Sequence, residues 1–432
     1  LGLMNGLFAA GLFRLKRFYL YGIAGALISC GAVQYYVWYA LAYPEYGWAA
    51  HFGAYFACAL MAVDIMLILP LFLLMMIGTV RFIRRYAQIF GAAVMALSLF
   101  IGVYGSVDGE MKEEAERYTI AAEELPEAFD GLKVAQITDT HIGPYYRNAD
   151  LANDLERSKA EGADVVMLTG DLIDDIRVMP ETAKILNSRA VLFPYGIIYV
   201  RGNHEPVSYT HLTLPTNRDP DYIENELRKT SVKILDNSHV ALQKDGALLY
   251  VAGVDYPEMR GEGRAELMAQ MVRDAFDGIP EDSAKIFLAH HSDFIDAGFE
   301  NRAFLTLTGH THGTQFGIFG KPMITPFKYT RGMYSDGKHC GYVSRGSGGW
   351  FPFRFDTSRE LTIFTLKKRT EMPLQERERY FRARKKTGYL PVFDYRINFL
   401  WSLTWYRFYF PVSGKFLRSR SVFLPYHYCF LL

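Results

Sequence analysis

Apolar positions along the chain follow two regimes. Early on they run unbroken: residues 18–43 and 89–107 carry no charged side chain, and residues 52–80 carry one, Asp64. At ~1.5 Å of rise per residue each run crosses a hydrocarbon core of ~30 Å as a helix. A secretory signal would show one shorter apolar core, so three successive runs predict membrane spans over residues 1–107 rather than a cleaved leader. Buried core helices are the alternative, and three such runs in a row are rare in a soluble core. Arg14, Lys16 and Arg17 precede the first run, and Arg81, Arg84 and Arg85 separate the second from the third. The loop between the first two carries Glu45, Tyr46 and Trp48 but no Lys or Arg, and Asp108, Glu110, Glu113 and Glu114 follow the third. The positive-inside rule then puts the N-terminus inside and everything after residue 108 on the extracytoplasmic side. Residues 1–13 are apolar too, as the stump of an earlier span would be, and the chain opens on Leu1 rather than Met, as a fragment would. Asp64 is expected to face the bundle interior, with an intramembrane function as the alternative.

Residues 108–130 read as a linker, acidic and helix-prone over 108–126, and from residue 131 to 368 the pattern changes to short apolar runs alternating with amphipathic segments. Strands are predicted at 132–138, 165–169, 197–200, 248–254, 285–289, 304–308 and 360–367, and helices at 149–160, 180–187, 221–230 and 265–276. Continuous apolar strands are those covered on both faces, so the fold class is α/β and layered. Polar chemistry follows five of the strands: Asp139-Thr140-His141, Gly170-Asp171, Gly202-Asn203-His204-Glu205, His290-His291 and Gly309-His310-Thr311-His312-Gly313. The carboxyl ends of the strands in an α/β sheet are where ligands bind. Asp, Asn and His without thiolate make a mixed oxygen and nitrogen donor set, suited to Mn, Fe or Zn. Alternate residues of an extended segment share a side, so Asp139 and His141 can reach one metal while His310 and His312 divide between two. Singly these residues would be caps, turn residues or hydrogen-bonded histidines; in this order, each ending a strand, they form a metal site.

The ordered set resembles the calcineurin-like metallophosphoesterase family, and within it the bacterial membrane-associated, phosphodiesterase-like branch, over about residues 130–368. The resemblance implies a four-layer α-β-β-α sandwich preceded by the helical membrane bundle, and two divalent cations. Asp139, His141 and His312 would hold the first metal, Asp171 would bridge, and Asn203, His290 and His310 would hold the second. His204 would act as general acid toward the leaving oxygen. Asp174 is expected to support these groups, and Glu205 to anchor its loop. His290 is favoured over His291 as ligand, although His291-Ser292-Asp293 departs from the proline-containing pair common in the family. The Gly346–Gly349 stretch with Trp350 resembles the glycine-rich segment near the end of family members.

The implied activity is hydrolysis of a phosphomonoester or phosphodiester in the bacterial inner membrane, and membrane attachment extends the substrates to lipid-linked ones. A lipid-precursor pyrophosphatase of the UDP-2,3-diacylglucosamine type is the alternative enzyme. A non-catalytic scaffold and a transporter or sensor are the readings from other classes. Composition alters this little. The apolar share of 50% and aromatic share of 15% reflect the first hundred or so residues, and a net charge of +1 gives no reason to expect nucleic acid. No protein partner is indicated. Cys30, Cys58, Cys340 and Cys429 form no CxxC pair, which argues against a disulfide framework or zinc ribbon. Residues 209–217 resemble a translated adapter read-through and receive no role. The tail, 369–432, is basic and then aromatic, as a membrane-interface segment would be.

Overall fold

A computed structural model describes residues 1–42, 48–205, 220–259, 261–323, 325–349 and 351–369. The expectations for the loop at 44–47, for 209–217, for Trp350 and for the tail beyond residue 369 fall outside the described residues.

The chain opens with helices α1 (Gly2–Phe13), α2 (Phe18–Ala42), α3 (Trp48–Ile77) and α4 (Arg84–Tyr104). Counting the π turn that extends α4 to Val107, the last three run for 25, 30 and 24 residues and are long and apolar enough to cross a membrane. They are apolar all round and leave Leu27, Ile65, Leu69 and Phe100 exposed, an arrangement suited to lipid. α1 is a shorter apolar helix of 12 residues. Asp64 faces the bundle interior: its carboxylate accepts from Asn5 Nδ2 at 3.1 Å and from the Ser29 hydroxyl.

Residues 108–126 correct the expected helix-prone linker. After the π turn Gly105–Gly109 the chain forms strand β1 (Glu113–Ala122), paired in parallel with the last strand from Glu113↔Arg359 to Ala122↔Lys368. Glu and Ala favour helix weakly. Here tertiary pairing outweighs that preference, because Arg345 reaches Glu114 (3.3 Å) and Glu116 (2.8 Å) while Ile120 and Ala122 enter the core.

The remaining strands are β2 (Lys133–Ile137), β3 (Val165–Thr169), β4 (Ile197–Val200), β5 (Lys233–Ile234), β6 (Ser238–Lys244), β7 (Ala247–Gly253), β8 (Lys285–Leu288), β9 (Leu305–Thr308), β10 (Gly317–Ile318), β11 (Lys321–Pro322), β12 (Gly332–Ser335), β13 (Cys340–Val343) and β14 (Arg359–Lys368). One sheet runs β1-β14-β2-β3-β4-β5 and the other β12-β13-β9-β8-β7-β6, while β10 and β11 form a separate hairpin. Helices α5 (Asn148–Ala160), α6 (Met179–Ala190) and α7 (Pro220–Arg228) cover the first sheet, and α8 (Arg264–Phe276) and α9 (Ile295–Glu300) cover the second.

Strand β3 shows why its sequence is apolar throughout. Val165 and Met167 face the other sheet, and Val166 and Leu168 face the helices. The layers are therefore α-β-β-α, as expected. Within them β2, β3 and β4 are parallel neighbours in one sheet, and β7, β8 and β9 in the other. Gln136 ties the two sheets near their carboxyl edges, donating to Thr169 Oγ1 (2.9 Å) and to Thr308 O (3.0 Å).

The end of α4 is locked to the sandwich by a buried ion pair. Glu110 lies 3.3 Å from Arg354 Nε, both almost without exposure. The Arg354 guanidinium also donates to Arg345 O (2.9 Å) and Gly348 O (2.6 Å). A side chain at Gly109 would overlap Arg354 O. Tyr145, in the loop after β2, packs against Tyr36 and Tyr39 of α2 and Tyr55 of α3. Arg354→Met would leave Glu110 buried without its ion-pair partner, and should cost about 3–5 kcal/mol of stability. Thermal unfolding in detergent should show this as a lowered midpoint, largely restored when Glu110→Leu is added.

Candidate metal centre

The loops that leave β2, β3, β4, β8 and β9 meet at one edge of the two sheets. Five of the candidate ligands on them sit in the left-handed backbone region: Asp139 (φ 52°), His141 (48°), Asp171 (50°), His310 (73°) and His312 (49°). Non-glycine residues seldom adopt that region, and such strain clusters at functional sites. The backbone is held there by its neighbours. Asp139 N donates to Gly170 O (3.0 Å), His141 N to Asp171 O (2.9 Å) and Gly309 N to His290 O (2.9 Å). Glu205 anchors its loop as expected, its carboxylate accepting from the backbone N–H of Asp171, Leu172, Ile173 and Gly202. At Gly202 a Cβ would collide with the Asp171 carboxylate, and at Gly309 with that of Asp139, so both motif glycines supply room for a carboxylate.

Asp171 is the centre of the cluster. Its Oδ2 lies 3.5 Å from His141 Nε2 and 3.2 Å from His290 Nε2, and its Oδ1 accepts from His204 N at 2.8 Å. On one side His141 Nε2 faces His312 Nε2 at 3.2 Å, and His312 Nε2 lies 3.5 Å from Asp139 Oδ1. On the other, His290 Nε2 is 3.2 Å from both His310 Nδ1 and Asn203 Oδ1. Ligand atoms of Asp139, His141, Asp171 and His312 thus form one group, and those of Asp171, His290 and His310 another. All seven side chains expected at a metal converge, and all but Asn203 and His310 are buried.

The ring tautomers follow from their partners, since a carbonyl or carboxylate oxygen can only accept. His290 Nδ1–H donates to Thr169 O (2.8 Å), and His141 Nδ1–H to Asp174 Oδ1 (3.1 Å). Each ring therefore turns its Nε2 toward the same Asp171 oxygen. Two nitrogen lone pairs and a carboxylate converging in a buried space repel one another unless a proton or cation lies between them. Protonation shows this demand for positive charge. Burial opposes charge on His290, yet Asp171 and Asp139 outweigh it and raise it to about 10. Burial pushes Asp139 up, with Asp171 adding to the effect. It also drives His310 down to about 2, with His290 adding, and His312 well below its usual value. His312 Nδ1 is buried with no hydrogen-bond partner. The donor set and the facing nitrogens fit divalent cations.

Asp174, beside the cluster, acts on it through other residues. Asp174 Oδ1 accepts from His141 Nδ1 and from His204 Nδ1 (2.7 Å), so one carboxylate orients both rings. Burial works against its charge, but His141 and His204 hold it well below the usual carboxylate range. His291, by contrast, turns to its own loop: its Nδ1 accepts from Asp293 N at 3.2 Å, and burial pushes it down to about 4. Tyr256 and Phe327 flank the His310 ring at 6.0 and 5.5 Å, and no sequence motif marked either. The glycine-rich stretch lies against the same cluster, with Gly348 N donating to Asp139 O at 3.1 Å.

Residues 132–314 match the sequence profile of the calcineurin-like phosphoesterase family. The chain carries a calcineurin-like phosphoesterase domain. The calcineurin-like domain is that of a phosphoric ester hydrolase. An uncharacterized metallophosphoesterase of Bacillus subtilis is 29% identical over 267 residues, which are 59% of this chain and 85% of that protein. One from Campylobacter jejuni is 28% identical over 284 residues, 65% of this chain and 70% of its own. A Danio rerio protein named for a transmembrane segment and a metallophosphoesterase domain is 26% identical over 296 residues, 64% of this chain and 63% of its own.

Removing a carboxylate that orients metal-facing histidines costs about 10–100-fold in metal affinity or activity. Asp174→Ala in the calcineurin-like domain should lose that much, read as metal retained after dialysis and as phosphoesterase turnover. Retention and turnover equal to wild type would contradict the role.

Proposed function

We propose that this chain is a membrane-anchored hydrolase of phosphomonoesters or phosphodiesters working with two divalent cations that share Asp171. The reading is carried by Asp171 Oδ2, which stands between His141 Nε2 and His290 Nε2, one from each ligand group. Asp139, His141 and His312 would complete the first site, and Asn203, His290 and His310 the second. When bound, such a pair supplies Lewis acidity toward the phosphoryl oxygens and a water of lowered pKa. The protein contributes strained, pre-positioned ligands and a dry edge between two sheets.

His204 is the proton donor in this reading. Its Nδ1–H is committed to Asp174, and its Nε2 lies 4.0 Å from Asp171 Oδ2, on the rim of the cluster. A ring held this way carries its transferable proton on Nε2, toward the oxygen that leaves phosphorus. Residues 1–107 form the anchor, and residues 131–368, completed by β1, form the hydrolase. In this reading the basic residues before α2 and α4 stay on the cytoplasmic side, and the hydrolase faces the extracytoplasmic side of a bacterial inner membrane. There it meets lipid-linked or envelope phosphoesters.

General acid catalysis contributes about 10²–10⁴-fold, so His204→Ala should lower turnover by about that much on an alkyl phosphoester. On p-nitrophenyl or bis-p-nitrophenyl phosphate with Mn²⁺ the loss should be smaller, because nitrophenolate leaves readily without a proton. Equal losses on both would contradict the acid role. For orientation, alkaline phosphatase fused after Lys368 should be active and a fluorescent protein dark; the reverse pair would place the domain inside.

A further inference from the structure

The β10–β11 hairpin begins a few residues after His312, and its base is firmly tied. Gly317 N donates to Phe355 O (2.8 Å), Phe355 N to Gln315 O (2.9 Å) and Met323 N to Phe316 O (3.3 Å). Gly320 N donates to the Asp356 carboxylate at 2.6 Å. Its tip is not what water selects. Phe319 is 95% exposed, Met323 51% and Ile318 38%, and Lys321 is the one charged residue from 316 to 323. Phe319 also has φ 53°, a conformation that disfavours bulky residues. A turn shaped only for backbone convenience would carry Gly or Asn there.

The hairpin adjoins the membrane part. Phe316 stacks on Phe355 at 5.6 Å, and Phe355 meets the ring of Tyr104, the last residue of α4, edge-on at 5.8 Å. Tyr104 in turn stacks on Phe100 at 5.9 Å, and Phe100 is 62% exposed along α4. An apolar surface therefore continues from the outside of a candidate span, across two aromatic rings, to the hairpin. Elsewhere around the metal centre, Arg177 Nη1 donates to Leu41 O at the end of α2 (3.1 Å), and Tyr39 of the same helix reaches Pro144 O (3.4 Å). The loops around the metal centre thus lie along the helix ends.

We infer that the β10–β11 hairpin is a second membrane contact, resting on the leaflet that α4 leaves. Phe319, Ile318 and Met323 enter the acyl boundary, and Lys321 lies at the phosphate level. Aromatic and aliphatic side chains with an adjacent lysine are the composition of an interfacial anchor. The partner is a phospholipid surface. The contact rests on the membrane reading above and deepens it: the loop of His310 and His312 is held at the headgroup layer, where a lipid-borne phosphoester meets it without leaving the bilayer.

The test uses the full chain in phospholipid nanodiscs, with p-benzoylphenylalanine replacing Phe319 and, as control, Val191, which is 81% exposed. On irradiation, mass spectrometry should find phospholipid adducts at position 319 and none at 191. No lipid adduct at 319, or adducts to protein in their place, would overturn the contact. A second arm compares Phe319→Asp with wild type. Turnover of bis-p-nitrophenyl phosphate in water should be unchanged, and that of a vesicle-borne phosphoester about ten-fold lower. Equal rates on the vesicle substrate would overturn the contact. A wild type inactive on both esters would strike the hydrolase reading, which the crosslinking result does not depend on.

Discussion

One carboxylate oxygen of Asp171, buried between imidazoles that reach it from two different sheets, sets the terms for the rest of the domain. A charge in that position is tolerable only when its surroundings supply opposite charge or hydrogen bonds. The fold supplies both. Glu205 gathers the backbone N–H groups beneath the Asp171 loop, and Asp174 and Thr169 O fix the His141 and His290 rings with Nε2 inward. The left-handed backbone at five of the ligand positions is the local cost of turning strand ends sharply enough to meet. Rigid sheets on both sides keep those residues from relaxing.

The same demand reaches the N-terminal helices through short, direct links. Gly348 touches Asp139 by a backbone hydrogen bond, Arg354 holds Gly348 O, and Glu110 at the end of α4 pairs with Arg354. The glycine-rich stretch beside the metal ligands is thereby fixed to the helix that enters the domain. Tyr145, four residues after His141, stacks on Tyr36 at 5.9 Å and makes the corresponding link on the other side. The catalytic edge is thus built against the helix ends.

Much of this was legible in sequence because each signal was carried by pattern. Unbroken apolar runs marked α2 to α4, and five apolar strands each ended in a residue type that binds metal. Order at the strand ends marked the motifs, and the family resemblance they carry implied Asp139, His141, Asp171, Asn203, His290, His310 and His312. What escaped depends on contacts between distant parts of the chain. β1 reads as helix until its ten residues pair with β14 and Arg345 gathers its glutamates. Asp174 was expected to support the ligands, but only the fold shows that it bonds two histidines at once. Tyr256, Phe327 and the apolar hairpin tip have no motif, since their meaning lies in what stands beside them.

The central claim is that two cations share Asp171. Anomalous X-ray scattering from crystals grown with Mn²⁺ tests it most directly. Two peaks should flank the Asp171 carboxylate, ~3.5–4 Å apart, one against His141 and His312 and the other against His290 and His310. A single peak remote from Asp171, or none in active protein, would contradict it.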